Sequence, residues 1–190
     1  MSIQMETITR NVLLNGLTPM MFDRYPGGND IELKAEEKFY FMEDGKTIAL
    51  PALNIHSFLS ATNTRSACRI VYETREYKEK AYAMLSYVLN ISPELIPITR
   101  NGVPIRFEGF GKNGIELHRG KTMLKNGIPK PWDRPFVKTP WQLQFSIMLA
   151  RNEDVDESEL RSLFEQGGLA LGLGTYRGVY GKFELAEWKK

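Results

Sequence analysis

WQLQFSIMLARNEDVDESELRSLFEQGGLALGLGTYRGVYGKFELAEW occupies residues 141–188 and decides the fold. In its first nine residues Trp141, Leu143, Phe145, Ile147 and Leu149 alternate with Gln142, Gln144, Ser146 and Met148. Strict period-two alternation predicts a half-buried antiparallel strand. A helix follows. Asp156 stands three residues before Glu159, the spacing of a capping box, and Val155 and Leu160 fit a hydrophobic staple. Leu160, Leu163 and Phe164 supply its core face, and Gly167 reads as its C′ glycine. A final strand over residues 182–188 points Phe183 and Leu185 the same way.

Working back from that unit, residues 7–17 form an apolar strand ending at Asn15-Gly16, and Tyr25 to Asp30 is a Pro-Gly-Gly loop. Residues 39–41 and 48–50 read as short strands around a turn at Glu43-Asp44-Gly45. Ile55, Phe58, Leu59 and Thr62 share a helical face with Asn54 as its N-cap. A second helix, residues 74–89, presents Tyr77, Ala81, Met84, Leu85 and Val88, and Ser92-Pro93 ends it before a short strand at residues 95–98. Residues 100–139 carry four prolines and repeated Asn-Gly turns, so they read as an insertion of short ribbons and turns. Without it the order is β-α-β-β-α-β. The expected fold class is α+β, a ferredoxin-like or RRM-like core in one domain over residues 1–190, with an irregular basic insertion, residues 100–139, before the third core strand.

Composition sets outer limits. The chain has 190 residues, 42% apolar and 25% charged, with a net charge of +2. That is ordinary globular usage and leaves no room for whole-chain disorder. The lone Cys68 excludes an internal disulfide and a cysteine zinc site. No apolar run reaches the roughly 18 residues of a membrane helix, and the N-terminus lacks a signal-peptide core. The expectation is a soluble cytoplasmic protein. Its charge is uneven: residues 100–138 hold nine basic residues against three acidic ones, while residues 150–166 hold two against six. A basic segment in a near-neutral chain suits a polyanion.

Six of the sixteen glycines lie within residues 167–181. Glycine raises the entropy cost of folding, so a cluster implies close backbone approach to a neighbour or a ligand. Consecutive amides in such a loop make a nest for phosphate, Arg177 and Lys182 add charge, and Tyr176 and Tyr180 offer flat faces to bases. No Gly-Lys-Ser/Thr follows, which excludes a Walker loop. The third glycine of a dinucleotide fingerprint is missing, and the loop precedes a strand instead of a helix.

Gly172-Leu173-Gly174-Thr175-Tyr176-Arg177-Gly178-Val179-Tyr180-Gly181-Lys182-Phe183 resembles the C-terminal glycine-rich loop of the RAMP superfamily, the RRM-fold proteins of CRISPR ribonucleoproteins. Leu50 to Leu59 resembles that family's entry into its first helix, without the usual glycine and lysine. Residues 140–183 also resemble proteins of phages and mobile elements. The resemblance implies a backbone subunit that lines guide RNA, with the insertion as a thumb and with copies of itself or other complex subunits as partners. It places phosphate contacts on Arg177 and Lys182 in the loop, on Arg65 and Arg69 after the first helix, and on Arg119, Lys121, Lys125 and Arg134 in the thumb; Gly172, Gly174, Gly178 and Gly181 through their amides and Tyr176 through its ring complete the expected nucleic-acid-binding set. Single-stranded RNA is the expected ligand, with DNA open, and no cofactor or metal is expected.

Two other readings stay open. Some relatives cleave CRISPR RNA without metal through a histidine, which makes His56 and, in the basic insertion, His118 the candidates. Others cut target RNA with a loop aspartate and a divalent metal, for which Asp30 and then Asp23 are placed. A phage-borne inhibitor acting on CRISPR complexes by protein contact is the third class. No HExxH or GxSxG motif occurs.

Overall fold

The computed structural model describes residues 6–28, 31–123 and 127–190. Its strands and helices, in chain order, are β1 (Thr7–Gly16), β2 (Met20–Met21), β3 (Tyr40–Phe41), β4 (Ile48–Pro51), α1 (Ala52–Ser60), α2 (Ala67–Val71), α3 (Tyr77–Tyr87), β5 (Val88–Ser92), β6 (Leu95–Arg100), β7 (Val103–Pro104), β8 (Ile115–Met123), β9 (Pro129–Val137), β10 (Gln142–Ala150), α4 (Glu157–Ala170) and β11 (Phe183–Lys189). The main sheet runs β11-β1-β10-β6-β4-β3, with β5 also beside β10 and β7 beside β6. Its central part is antiparallel throughout. Counting β5 and β6 as one interrupted second strand gives the order 4-1-3-2 of a ferredoxin-like α+β core.

The alternation read in β10 is realised. Leu143, Phe145, Ile147 and Leu149 are buried against the helical layer, and β1 contributes Val12 and Leu14. Phe58 of α1, Phe164 of α4 and Phe183 of β11 meet with ring centroids 5.4–6.5 Å apart. Burying side chains of this size stabilises by about 1.5–3 kcal/mol each, so this junction anchors both halves of the chain. The capping box forms: the Asp156 carboxylate accepts from Glu159 N at 2.8 Å, and Asp156 N donates to the Glu159 carboxylate at 3.0 Å.

Four local expectations are corrected. Gly167 does not end α4, which continues to Ala170. A Cβ on Gly167 would stand 2.6 Å from Ala67 Cβ and 2.9 Å from Phe58 Cζ, so glycine here lets α1 and α2 close on α4. The stop comes at Gly172, with φ +79° and its N–H donating to Gly167 O at 3.2 Å. Asn54 is not an N-cap; Pro51 holds that place and Asn54 lies inside α1. The second helix begins at Tyr77, after a separate short α2, and Leu85 is exposed on it.

The fourth correction concerns the insertion, which contains one long ribbon, β8 paired with β9 over nine residue pairs. Its prolines fall at 129, 131 and 135, all on alternate positions. The carbonyls of Asp133 and Pro135, in the same phase, accept from Lys38 Nζ and Phe22 N, away from β8. The missing proline donors therefore lie on the side not facing β8, and the ladder survives. β2 pairs with the foot of β9, which ties the ribbon to the end of β1.

Candidate nucleic-acid interface

The glycine loop leaves α4 at Leu171 and enters β11 at Phe183, passing over Met20–Met21 at the foot of the ribbon. Thr175 N donates to Met21 O at 2.9 Å, Gly181 N to Pro19 O at 2.8 Å, and Leu173 N to Gly181 O at 2.9 Å. Gly178 N donates to Leu171 O at 2.6 Å, and Gly174 N to the Asn54 side chain at 3.0 Å. Lys182 N donates to Thr18 Oγ1 at 2.9 Å. These amides are engaged within the protein, so the phosphate nest expected of them is not what the glycines build. Gly181 is the clearest case: with φ +72°, a Cβ there would stand 1.9 Å from Leu173 O. Asn54, read as a cap, instead holds the loop from α1. Only the fold brings residues 54 and 174 together, and nothing local in the sequence signals it.

What the loop offers to a ligand is carried by side chains, on two sides. Toward α1 lies Arg177. Its Nη2 donates to Ser57 Oγ at 3.4 Å, the limit of a hydrogen bond, and its buried Nη1 has no partner. Burial lowers the Arg177 pKa below the usual arginine value, and no ion pair with a carboxylate forms among the described residues. Arg65 approaches the same stretch, its Nη1 standing 3.4 Å from the position of a Cβ on Gly178. Arg177 is thus a half-buried cation with no carboxylate partner among the described residues, an arrangement that costs desolvation without the return of an ion pair.

Toward the ribbon lies an aromatic cluster. The Trp132 ring is 5.7 Å from Tyr176 and 5.3 Å from His118, and His118 is 6.1 Å from Tyr180. The Arg134 guanidinium sits 4.2 Å from the Trp132 ring and 4.6 Å from Tyr176, while its Nε donates to Asp23 Oδ2 at 2.6 Å. Gly120, opposite Trp132 in the ladder, leaves room for the indole: a Cβ would stand 2.4 Å from it. Trp132 and the grouping with His118 were missed by sequence reasoning. The period-two spacing of Trp132 and Arg134 across from Gly120 and His118 was the available signal.

The other expected contacts are distributed more widely. Arg119 and Lys121 alternate with His118 and Gly120 along β8 and so project from the opposite ribbon face, where Arg119 is 79% exposed and 3.9 Å from Asp133. Arg69 stacks over Tyr77, 5.5 Å from its ring. Lys182 is half-buried beside Thr18. Lys125 and Asp30 lie outside the described residues. Asp23 is engaged with Arg134 and, at 3.6 Å, with Lys38. His56 projects from α1 next to Ser57, and burial lowers its pKa, which favours the neutral ring. Among the described residues no three His, Cys, Asp or Glu side chains gather as a metal site. No described helix is long and apolar enough to cross a membrane.

No family model matches the chain, and none of the curated proteins does. Among solved structures it is similar to a chain from the cryo-EM structure of the Type III-B Cmr-beta bound to cognate target RNA. The two share 14% identity and a TM-score of 0.60 over 97% of this chain. This chain spans 60% of that neighbour's length, and at such identity what the two share is the fold.

Proposed function

We propose that this chain binds single-stranded RNA through phosphate contacts as a subunit of a CRISPR-type ribonucleoprotein, without catalysing its cleavage. The observation that carries the reading is Arg177, a partly desolvated guanidinium with a buried, unpartnered Nη1 and no ion pair to a carboxylate among the described residues, on the loop whose sequence resembles the RAMP motif. The likeness in fold to a chain of an RNA-bound Cmr complex supports it. Arg65 is the second cation of this side, and the flat faces of Tyr176 and Tyr180 lie on the other.

Filter binding of a labelled repeat RNA at several salt concentrations tests it. Each true phosphate contact removed lowers the slope of log K against log salt by roughly one unit. Arg177→Gln and Arg65→Gln are expected to do so. Lys121→Gln separates the two ribbon faces: an unchanged slope confines the strand to the loop face, and a lowered slope extends the path around the ribbon. Absence of binding by the wild-type protein at low salt ends the reading.

A further inference from the structure

The ribbon ends in a strand edge that no other strand covers, and its backbone and charge specify a partner. We propose that β8 receives an extended acidic segment of a partner protein as an added antiparallel strand. The inference goes beyond the RNA-binding reading and stands or falls separately from it.

β8 closes the smaller sheet, whose order is β2-β9-β8, so one side of a nine-residue strand has no neighbouring strand. The phase of the ladder says which groups face outward. Phe22 N donates to Pro135 O on the β2 side of β9, and Lys138 N donates to Gly114 O across the ribbon. Glu116, His118 and Gly120, opposite Phe136, Arg134 and Trp132, therefore carry the ladder bonds to β9. Leu117, Arg119 and Lys121 turn both N–H and C=O away from it. Ile115 O, in the same phase, accepts from Gly111 N at 2.8 Å and closes the edge at its base. Beyond that point the outward groups of Leu117, Arg119 and Lys121 have no backbone partner among the described residues.

Other edges of the molecule are protected by shape. β9 carries Pro129, Pro131 and Pro135 on its outer side, and the register of β11 shifts opposite Leu13 and Leu14. β8 holds neither proline nor bulge, and its register with β9 is unbroken. Charge alone guards it. Arg119, with 79% of its side chain exposed, and Lys121, also exposed, share a face with Leu117 and the exposed Met123. Asp133 stands 3.9 Å from Arg119, and Lys121 forms no ion pair among the described residues.

That charge selects the occupant. A second copy of β8, paired about a two-fold axis, would set Arg119 and Lys121 against their own kind, which opposes self-pairing. An RNA backbone would meet the outward carbonyl oxygens of residues 117, 119 and 121 as often as their N–H groups, and a carbonyl oxygen repels phosphate. A peptide strand satisfies both groups at every step. With acids opposite Arg119 and Lys121, and apolar side chains opposite Leu117 and Met123, the sequence that fits reads apolar-x-acid-x-acid-x-apolar.

The test uses two capped nonapeptides. The first has threonine at odd positions and valine, glutamate, glutamate and valine at even ones; the second replaces both glutamates by lysine. By fluorescence anisotropy the acidic peptide should bind wild type about tenfold more tightly than the basic one, or better. Lys121→Pro removes one outward N–H by the device β9 already uses, so the ladder to β9 stays while acidic-peptide binding should fall about tenfold. Lys121→Gln keeps that N–H and should lose less. Amide exchange in the wild-type protein gives a measurement free of any folding defect in the variants. The N–H groups of Leu117, Arg119 and Lys121 should exchange fast in the free protein and about tenfold more slowly with the acidic peptide bound. Binding of neither peptide, equal affinity for both, slow exchange of these amides without peptide, or a bound peptide that leaves them unprotected overturns the proposal. Protection of the same three amides by oligouridylate assigns the edge to RNA and overturns it as well.

Discussion

Replacing Arg177 by methionine should make the free protein more stable while making it a poorer RNA binder. Methionine keeps an unbranched stem in the same space and removes the guanidinium. In the native protein the buried Nη1 of that group has no partner, and the Ser57 bond at 3.4 Å returns little. A buried donor left unmade costs about 1–3 kcal/mol, and the rest of this half-buried group still reaches water, so a gain of about 1–2 kcal/mol is expected. For a chain of this size that is a rise of about 2–8 °C in Tm. Differential scanning calorimetry without RNA measures it. With RNA present at a hundred times its Kd, wild type should gain about 2.7 kcal/mol by mass action, the variant should gain less, and the order should reverse. A ligand-free variant that melts below wild type would refute the reasoning, since Arg177 would then be a structural residue whose partners outweigh its burial.

Three further outcomes follow from local geometry. Gly181→Ala, with a Cβ 1.9 Å from Leu173 O at φ +72°, should cost more than about 3 kcal/mol or prevent folding, whereas Gly45→Ala, also at positive φ (+65°) but with nothing within 4 Å, should cost about 1 kcal/mol in a urea titration. Asp156→Ala removes the cap of α4 and should lower stability by about 1 kcal/mol, read as a shifted urea midpoint with unchanged slope. Asp44 accepts hydrogen bonds from Thr47 N and Lys46 N, which lower its pKa to about 2 from the ordinary 3.8. Its support of the β3–β4 turn is therefore complete above pH 3.8 and is lost as pH falls toward 2; carboxyl chemical shifts in an NMR titration check this, and a midpoint near 3.8 would contradict the turn geometry.

The parts of the fold legible in the sequence are those whose cause is local. Alternation over residues 141–149 and the Asp156–Glu159 box each involve residues a few positions apart, and both form as read. Gly167 and Asn54 were misread because their roles are set by partners far along the chain. Gly167 touches Ala67, and Asn54 bonds Gly174, 120 positions away. Locally, glycine after an amphipathic run is a stop and asparagine before one is a cap; tertiary contact overrides both. The ribbon was foreshortened for a related reason. Three prolines in nine residues look like breaks, and only the phase of the ladder reveals that each falls on the side away from β8.

The candidate site shows the same division between backbone and side chain. The glycine cluster was read as a backbone cradle, yet its amides are engaged by Pro19, Met21, Leu171, Gly181 and Asn54. The glycines are needed because the loop folds back on itself and packs on β2, with no space for Cβ atoms at Gly172 against Gly181 and Lys182, at Gly174 against Met21, or at Gly181 against Leu173. Crowding fixes the loop, and a fixed loop can hold Arg177 half-buried without a counter-charge and Tyr176 at positive φ. Neither arrangement would persist on a mobile segment, because each could relax by turning into solvent. In the proposed binding role the glycines act indirectly, by holding the arginine and the tyrosine where the loop's crowding places them. Charge-removing changes at Arg177 and Arg65 should therefore alter binding at constant fold, while glycine changes at positions 172, 174 and 181 should alter the fold first and binding only as a consequence.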